Sequence, residues 1–494
     1  MAGGVDEKES APPAEESARG ESYARIDENP FLETARAPLS TFSIDVDTAS
    51  YSNTRRFLND GRLPPKDAVR IEELVNYFSY DYPQPAGSAP FSVTAEVAGC
   101  PWNPRHRLVH IGLQGRKVST EDMPPANLVF LIDVSGSMDE PRKLPLVKSS
   151  LRTLAEQLSS RDRVAIVVYA GTSGLVLPST PGDRKGEIIS AIDRLEAGGS
   201  TNGGEGIQLA YRVARENFIK GGTNRVILST DGDFNVGVTS DDALVRLIEQ
   251  ERQDGIFLSV LGVGTGNLND SMMEKLADRG NGNYAYIDTE SEARKALGEQ
   301  IGGTLMTIAK DVKIQVEFNP RLVAGYRLIG YENRLLAARD FNDDRKDAGE
   351  IGAGHTVTAL YEVVPAGEKV ENPGVDALKY QQPAENSQGA DGNELMTVKL
   401  RYKEPEGGAS KLLSVGVVDA GGSYQNASEN FKFAAAVAEF GMLLRDSRYK
   451  GQSSYSGTLQ LARASAGADL HGHRTEFVQL VERARSLSES SSGR

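Results

Sequence analysis

Leu128-Val129-Phe130-Leu131-Ile132 runs straight into Asp133-Val134-Ser135-Gly136-Ser137-Met138, and this stretch decides the fold. Five consecutive apolar residues have no polar face, so they suit a strand covered on both sides. Beyond the short polar loop, Leu144, Val147, Leu151, Leu154 and Leu158 recur at spacings of three and four, the stripe of an amphipathic helix. The alternation repeats: Val164–Tyr169, Val226-Ile227-Leu228 and Ile256–Val263 are further apolar runs with helical stretches between them. This pattern predicts an α/β domain over about 126–310, a doubly wound, Rossmann-like parallel sheet. Such sheets place ligands in the loops beyond the carboxyl ends of their strands.

Three oxygen-bearing loops fall at such places. Asp133-Val134-Ser135-Gly136-Ser137 follows the first strand, and Ser229-Thr230-Asp231-Gly232-Asp233 follows a later one. Between them, Gly198-Gly199-Ser200-Thr201-Asn202-Gly203-Gly204 precedes a helix with Ile207, Leu209 and Ala210. Taken together and in order, these resemble the von Willebrand factor A (VWA) domain. Its metal-ion-dependent adhesion site (MIDAS) carries over onto Asp133, Ser135, Ser137, Thr201 and Asp231, with all five positions matched. The flanks resemble those of a bacterial family in which this domain sits between conserved N-terminal and C-terminal regions.

The chemistry of those side chains points the same way. Mg²⁺ prefers six oxygens in octahedral geometry and dehydrates reluctantly. The hydroxyls of Ser135, Ser137 and Thr201 suit direct coordination, with Asp133 and Asp231 acting directly or through water. A shell of mostly neutral oxygens leaves the ion's charge poorly quenched, so it favours an anionic last ligand. The resemblance implies that this ligand is the carboxylate of a protein partner, with Mg²⁺ as the metal and Mn²⁺ or Ca²⁺ as alternatives. It also implies that the last helix of the domain, around Glu292–Met306, shifts when ligand binds.

Enzyme chemistry finds little support. The five histidines are His106, His110, His355, His471 and His473, none of them within 126–310, and the single cysteine is Cys100. Ser135 and Ser137 therefore have no local base to activate them. Gly262-Val263-Gly264-Thr265-Gly266 is not a dinucleotide fingerprint and does not open the first βα unit. The expectation is a Mg²⁺-dependent adhesion or assembly module without catalytic residues. Two alternatives belong to other classes: a hydrolase whose site spans domains through His106 or His110, and a subunit partnering an ATPase in a chelatase- or chaperone-like complex.

Outward from this domain the pattern changes. Period-2 alternation marks half-buried antiparallel strands at Phe91–Val97, Val109–Leu113, Val312–Phe318, Val357–Val363 and Met396–Tyr402. Both flanks need a partner sheet, so the VWA-like domain is expected to be inserted into one β-sandwich; the alternative is two β units strung in line. The expected division is a disordered acidic tail (1–30), a small α/β unit (31–86), a β segment (87–125), the central domain (126–310), a β-rich domain (311–425) and a helical end (426–494). In the small unit, Asp47 is placed to cap a helix through Tyr51, Arg55 and Leu58. Pro365–Asn393 is polar and reads as a long loop.

Composition bounds the partners. The chain has 494 residues, 39% hydrophobic and 25% charged, with 69 acids against 55 bases and a net charge of −14. That excess of acid argues against nucleic acid, whose phosphates need clustered Lys and Arg. No stretch reaches the ~18 apolar residues of a spanning helix. Residues 1–30 hold eight acids and three bases, and the central domain 25 acids and 20 bases. A mildly negative domain suits a cation, while a partner's carboxylate would be drawn by the metal itself. The acidic leader suits a tether, and with the resemblance it gives an expected place in the bacterial cell envelope, with the cytoplasm as alternative.

Overall fold

The computed structural model describes residues 21–44, 46–199, 203–232, 241–265, 268–299, 303, 306–346, 348–370 and 392–492. The quoted stretch forms the strand Ala126–Asp133, every residue of it buried. It sits third from one edge of a six-stranded sheet, ordered Tyr284–Ile287, Ile256–Val263, Thr223–Thr230, Ala126–Asp133, Arg163–Tyr169, Ser173–Pro181. The first five strands are parallel; Ser173–Pro181 runs antiparallel at the other edge. Leu128, Phe130 and Ile132 face the helices Leu144–Gln157 and Lys185–Asp193. Val129 and Leu131 face Gly203–Glu216, Asp241–Gln253 and Asp270–Arg279. Continuous apolarity is thus the signature of a sheet sandwiched by two helical layers.

The β segments on the two sides of this domain join. Phe91–Cys100 and Asn103–Gly115, which precede it, share one sheet with Val323–Ile329 and Thr356–Pro365, which follow it. Leu32–Glu33 completes that sheet at its edge. The second sheet orders Ile351–Gly352, Thr307–Phe318, Glu394–Glu404 and Gly407–Val418, and Leu39–Ser43 also pairs with Thr307–Phe318. The chain leaves the sandwich after Gly115 and re-enters it at Thr307, so the α/β domain is an insertion.

Strand parity explains the layers around it. Val109, Ile111, Tyr361 and Val363 point to the opposing sheet, against Ile314, Val316, Val398 and Leu400. Leu108 and Leu360, one residue out of phase, point away. They pack under the C-terminal helices Glu429–Arg445, Tyr455–Ala464 and His473–Ser492. The first sheet is therefore covered on both faces.

Two local expectations need correction. Residues 21–30, assigned by composition to a disordered tail, lie on the folded body. The Ser22 amide donates to Leu268 O at 3.1 Å, and Asn29 Nδ2 donates to the carbonyls of Leu328 and Gly330. A few specific polar anchors outweigh the low hydrophobicity there; residues 1–20 lie outside the described residues. Asp47 does not cap the helix Ala49–Asn59, whose N-cap is Thr48. Its Oδ1 instead accepts from the Tyr284 amide at 2.8 Å, and its Oδ2 lies 3.4 Å from Arg334. A long-range backbone donor and a cation outbid the local helix terminus. Most of the expected loop Pro365–Asn393, residues 371–391, lies outside the described residues.

Candidate metal centre

Asp133 closes the central strand and is fully buried. Its Oδ1 accepts from the Ser135 amide at 2.9 Å, which bends the chain into a single 3₁₀ turn, Gly136–Met138. That turn brings Ser135 Oγ and Ser137 Oγ to 3.0 Å from each other. The Gly136 amide donates to Gly199 O at 3.0 Å, and the Gly198 amide to Val134 O at 2.7 Å. These two bonds tie the Gly198-Gly199 segment to the Asp133 loop; Gly199 has φ +87°, which favours glycine. Thr201, two residues further, lies outside the described residues.

Asp231 arrives from the neighbouring strand. Ile132 and Ser229 are in register, so Thr223–Thr230 delivers Asp231 to the same edge of the sheet, fully buried. Its Oδ2 accepts from Lys143 Nζ at 3.0 Å. Of the five residues read from sequence, the structure thus gathers Asp133, Ser135, Ser137 and Asp231 in one place. Lys143 was not singled out, because a lone lysine ahead of an apolar stripe carries no pattern; its partner is far away in sequence.

The donor set fits a hard divalent cation. Asp133 Oδ2 is buried without a well-formed hydrogen bond, the Tyr169 hydroxyl being a weak donor to the carboxylate, and a buried polar atom so poorly matched asks for an explanation. Burial pushes the Asp133 carboxyl up to about 6, with the Asp231 charge adding to it and hydrogen bonds from Ser135 and Tyr169 opposing it. A cation would reverse that balance, because a bound ion is the largest local charge and favours the ionised carboxylate. Among the described residues no group of three or more His, Cys, Asp or Glu side chains could hold a metal. An ion here would therefore rely on the Ser135 and Ser137 hydroxyls as well as the two carboxylates, which is hard-oxygen chemistry.

The histidines weighed for hydrolysis are committed elsewhere. His106 Nδ1 lies 2.6 Å from Glu362 Oε1, and Glu362 also accepts from Trp102 Nε1 and Arg327. Burial would raise the Glu362 carboxyl, but His106, Arg327 and Trp102 together hold it below its ordinary value. His110 Nε2 meets the Tyr82 hydroxyl at 2.9 Å, and burial lowers its pKa to about 4. Both belong to the sandwich and its helical cover, and Ser135 Oγ pairs with Ser137 instead.

Comparison with known proteins agrees with this geometry. The profile of the von Willebrand factor type A domain matches residues 127–300, a second one described as von Willebrand factor matches 17–110, and one described as the C-terminal region of uncharacterized protein YfbK matches 303–487. The fold is that of a bacterial VWA-domain protein. The uncharacterized protein YfbK of Escherichia coli K12 is 45% identical over 476 residues, 95% of this chain and 82% of its own length. The chain belongs to the YfbK family. More distant relatives are uncharacterized protein sll0103 of Synechocystis, 29% identical over 40% of this chain and 45% of its own, and human inter-alpha-trypsin inhibitor heavy chain H3, 28% identical over 48% of this chain and 28% of its own. Among solved structures, a von Willebrand factor type A protein from Catenulispora acidiphila aligns over 78% of this chain and 89% of its own, at 16% identity and a TM-score of 0.42. VWA domains often mediate protein–protein interaction.

Proposed function

We propose that this protein is a Mg²⁺-dependent protein-binding module, serving adhesion or assembly and not catalysis. Asp133, Ser135, Ser137, Thr201 and Asp231 would hold the ion, with a carboxylate of a partner protein as the remaining ligand. The observation that carries this reading is the fully buried Asp133 carboxylate, its Oδ2 poorly satisfied, beside two serine hydroxyls at the carboxyl end of the central strand. A bound Mg²⁺ supplies Lewis acidity that draws an anionic ligand. The chain's own residues fix where that happens: the Ser135 amide orients Asp133, and the Gly198 and Gly199 contacts hold the loop.

Thermal melting with added Mg²⁺ or Mn²⁺ tests the site. The wild type is expected to melt higher with metal, and Asp133→Ala to lose that shift. No metal-induced shift in the wild type would overturn the reading. Capture from a bacterial lysate with and without EDTA then tests partner binding; the expected partners release on chelation and carry an exposed acidic side chain.

A further inference from the structure

Lys143 is an unusual neighbour for a cation site. It is only 3% exposed, yet it carries a full charge into the loop. Its Nζ donates to Asp231 Oδ2 at 3.0 Å and to the Ser137 carbonyl at 2.9 Å. Its stem lies against Gly264, where an added Cβ would come within 2.5 Å of Lys143 Cε and 2.7 Å of Cγ. Gly264 also has φ +75°, so a side chain there is opposed twice. Buried charges persist only when paired and hydrogen-bonded, and this one is locked at both head and stem. Glu140 Oε1, 3.4 Å from Nζ, belongs to a side chain that is 57% exposed, so water screens it.

We propose that Lys143 is a built-in counter-cation of the metal centre: it reserves Asp231, leaves a bound divalent ion under-neutralised, and thereby selects an acidic ligand. This rests on the metal reading above. With Asp231 matched by Lys143, Asp133 alone offsets the ion. The loaded site then keeps roughly one net positive charge in surroundings that screen it weakly. Metal affinity is sacrificed for attraction to a carboxylate. A neutral side chain at 143 would free Asp231 for the ion and cancel that surplus.

The test uses the full chain, Mn²⁺ alone as probe, and the free Mn²⁺ signal in electron paramagnetic resonance. Lys143→Met and Lys143→Gln are expected to bind Mn²⁺ at least about tenfold more tightly than wild type, and Lys143→Arg to stay within about threefold. Acetate, added as a carboxylate probe, is expected to tighten Mn²⁺ binding more in wild type than in the neutral variants, since coupling between two ligands is reciprocal. Lys143→Gln keeps a hydrogen-bond donor and carries the test if Lys143→Met does not fold. Equal Mn²⁺ affinity in wild type and neutral variants overturns the role of Lys143 and leaves the metal site standing. Absence of binding in wild type and neutral variants alike overturns both.

Discussion

Single residues at this protein's centre owe their behaviour to burial, and Glu439 shows how that is measured. It lies in the helix Glu429–Arg445, 5% exposed, with the Ser453 and Thr458 hydroxyls donating to it. Burial pushes its carboxyl up to about 7 from 4.5. Between those values the folded chain holds a proton that the unfolded chain has lost. The contribution of Glu439 to stability is therefore fully present below about pH 4.5, falls as pH rises, and levels off above about pH 7, a loss of about 3 kcal/mol. Glu439→Gln should melt like the wild type at pH 4.5 and several degrees higher at pH 8. A difference independent of pH would show that the charge is not the cause. At this scale the sequence revealed residues that belong to a pattern. Asp133, Ser135, Ser137 and Asp231 were legible because short spacing and strand ends mark them. Lys143 and Asp47 were not, since each is defined by a partner on a distant segment.

Elements were legible through their period and illegible in their ends. The stripe from Leu144 to Leu158 gave the helix Leu144–Gln157 almost to the residue. The last helix of the inserted domain, read as extending around Glu292–Met306, shows among the described residues an α-helix, Glu290–Arg294, followed by a π-helical turn, Lys295–Glu299; residues 300–302, 304 and 305 lie outside them. The Thr289 side chain caps the start of the helix by accepting from the Glu292 amide at 3.2 Å, and tertiary contacts clamp its first turn. Arg55, from the helix Ala49–Asn59 and fully buried, pairs with Asp288, with Glu292 at 2.8 Å and with Glu476 at 3.1 Å. Tyr77 OH also donates to Glu292 at 2.9 Å, and Lys295 Nζ donates to Tyr77 O at 2.6 Å. Removing one member of such a network strands buried charge. Arg55→Ala should lose about 3–5 kcal/mol in denaturant unfolding, because Asp288 and Glu292 are left without their cation. The same clamp bears on ligand-driven movement of this helix. Amide exchange over 290–297 is expected to stay unchanged when Mn²⁺ is added to wild type and to become Mn²⁺-sensitive in Arg55→Ala; equal sensitivity in both would show that the clamp does not hold it.

At the scale of the whole molecule, half-buried strands on both flanks implied one sandwich, because each flank alone would leave an apolar face in water. What composition and period could not supply is how the insertion is fastened. Two connections at Gly115 and Thr307 would permit a hinge, but the interface is laced with buried ions. Arg70, the N-cap of the helix Ile71–Asn76, bonds Asp270 at 2.8 Å and also pairs with Glu73. Arg334, beyond the strand Val323–Ile329, reaches Glu274 at 3.0 Å and also pairs with Asp278. Asp47 binds the Tyr284 amide on the edge strand of the inserted sheet. All of these lie on the side of the sheet formed by Asp270–Arg279 and Tyr284–Ile287, so they grip one edge of the inserted domain. The inserted domain is thus fastened to the sandwich along that edge. A body joined this way should unfold as one unit, since the ion pairs and hydrogen bonds across the interface are lost together when it opens. Calorimetry of the wild type is expected to give a single transition with calorimetric and van't Hoff enthalpies in agreement. Arg70→Ala combined with Arg334→Ala removes the two cations that face the Asp270–Arg279 helix and should split that transition in two. The Mn²⁺-induced shift should then follow only the component belonging to the inserted domain. Two transitions already present in wild type, or a double variant that still melts as one, would mean that the apolar contacts and not the ion pairs couple the domains.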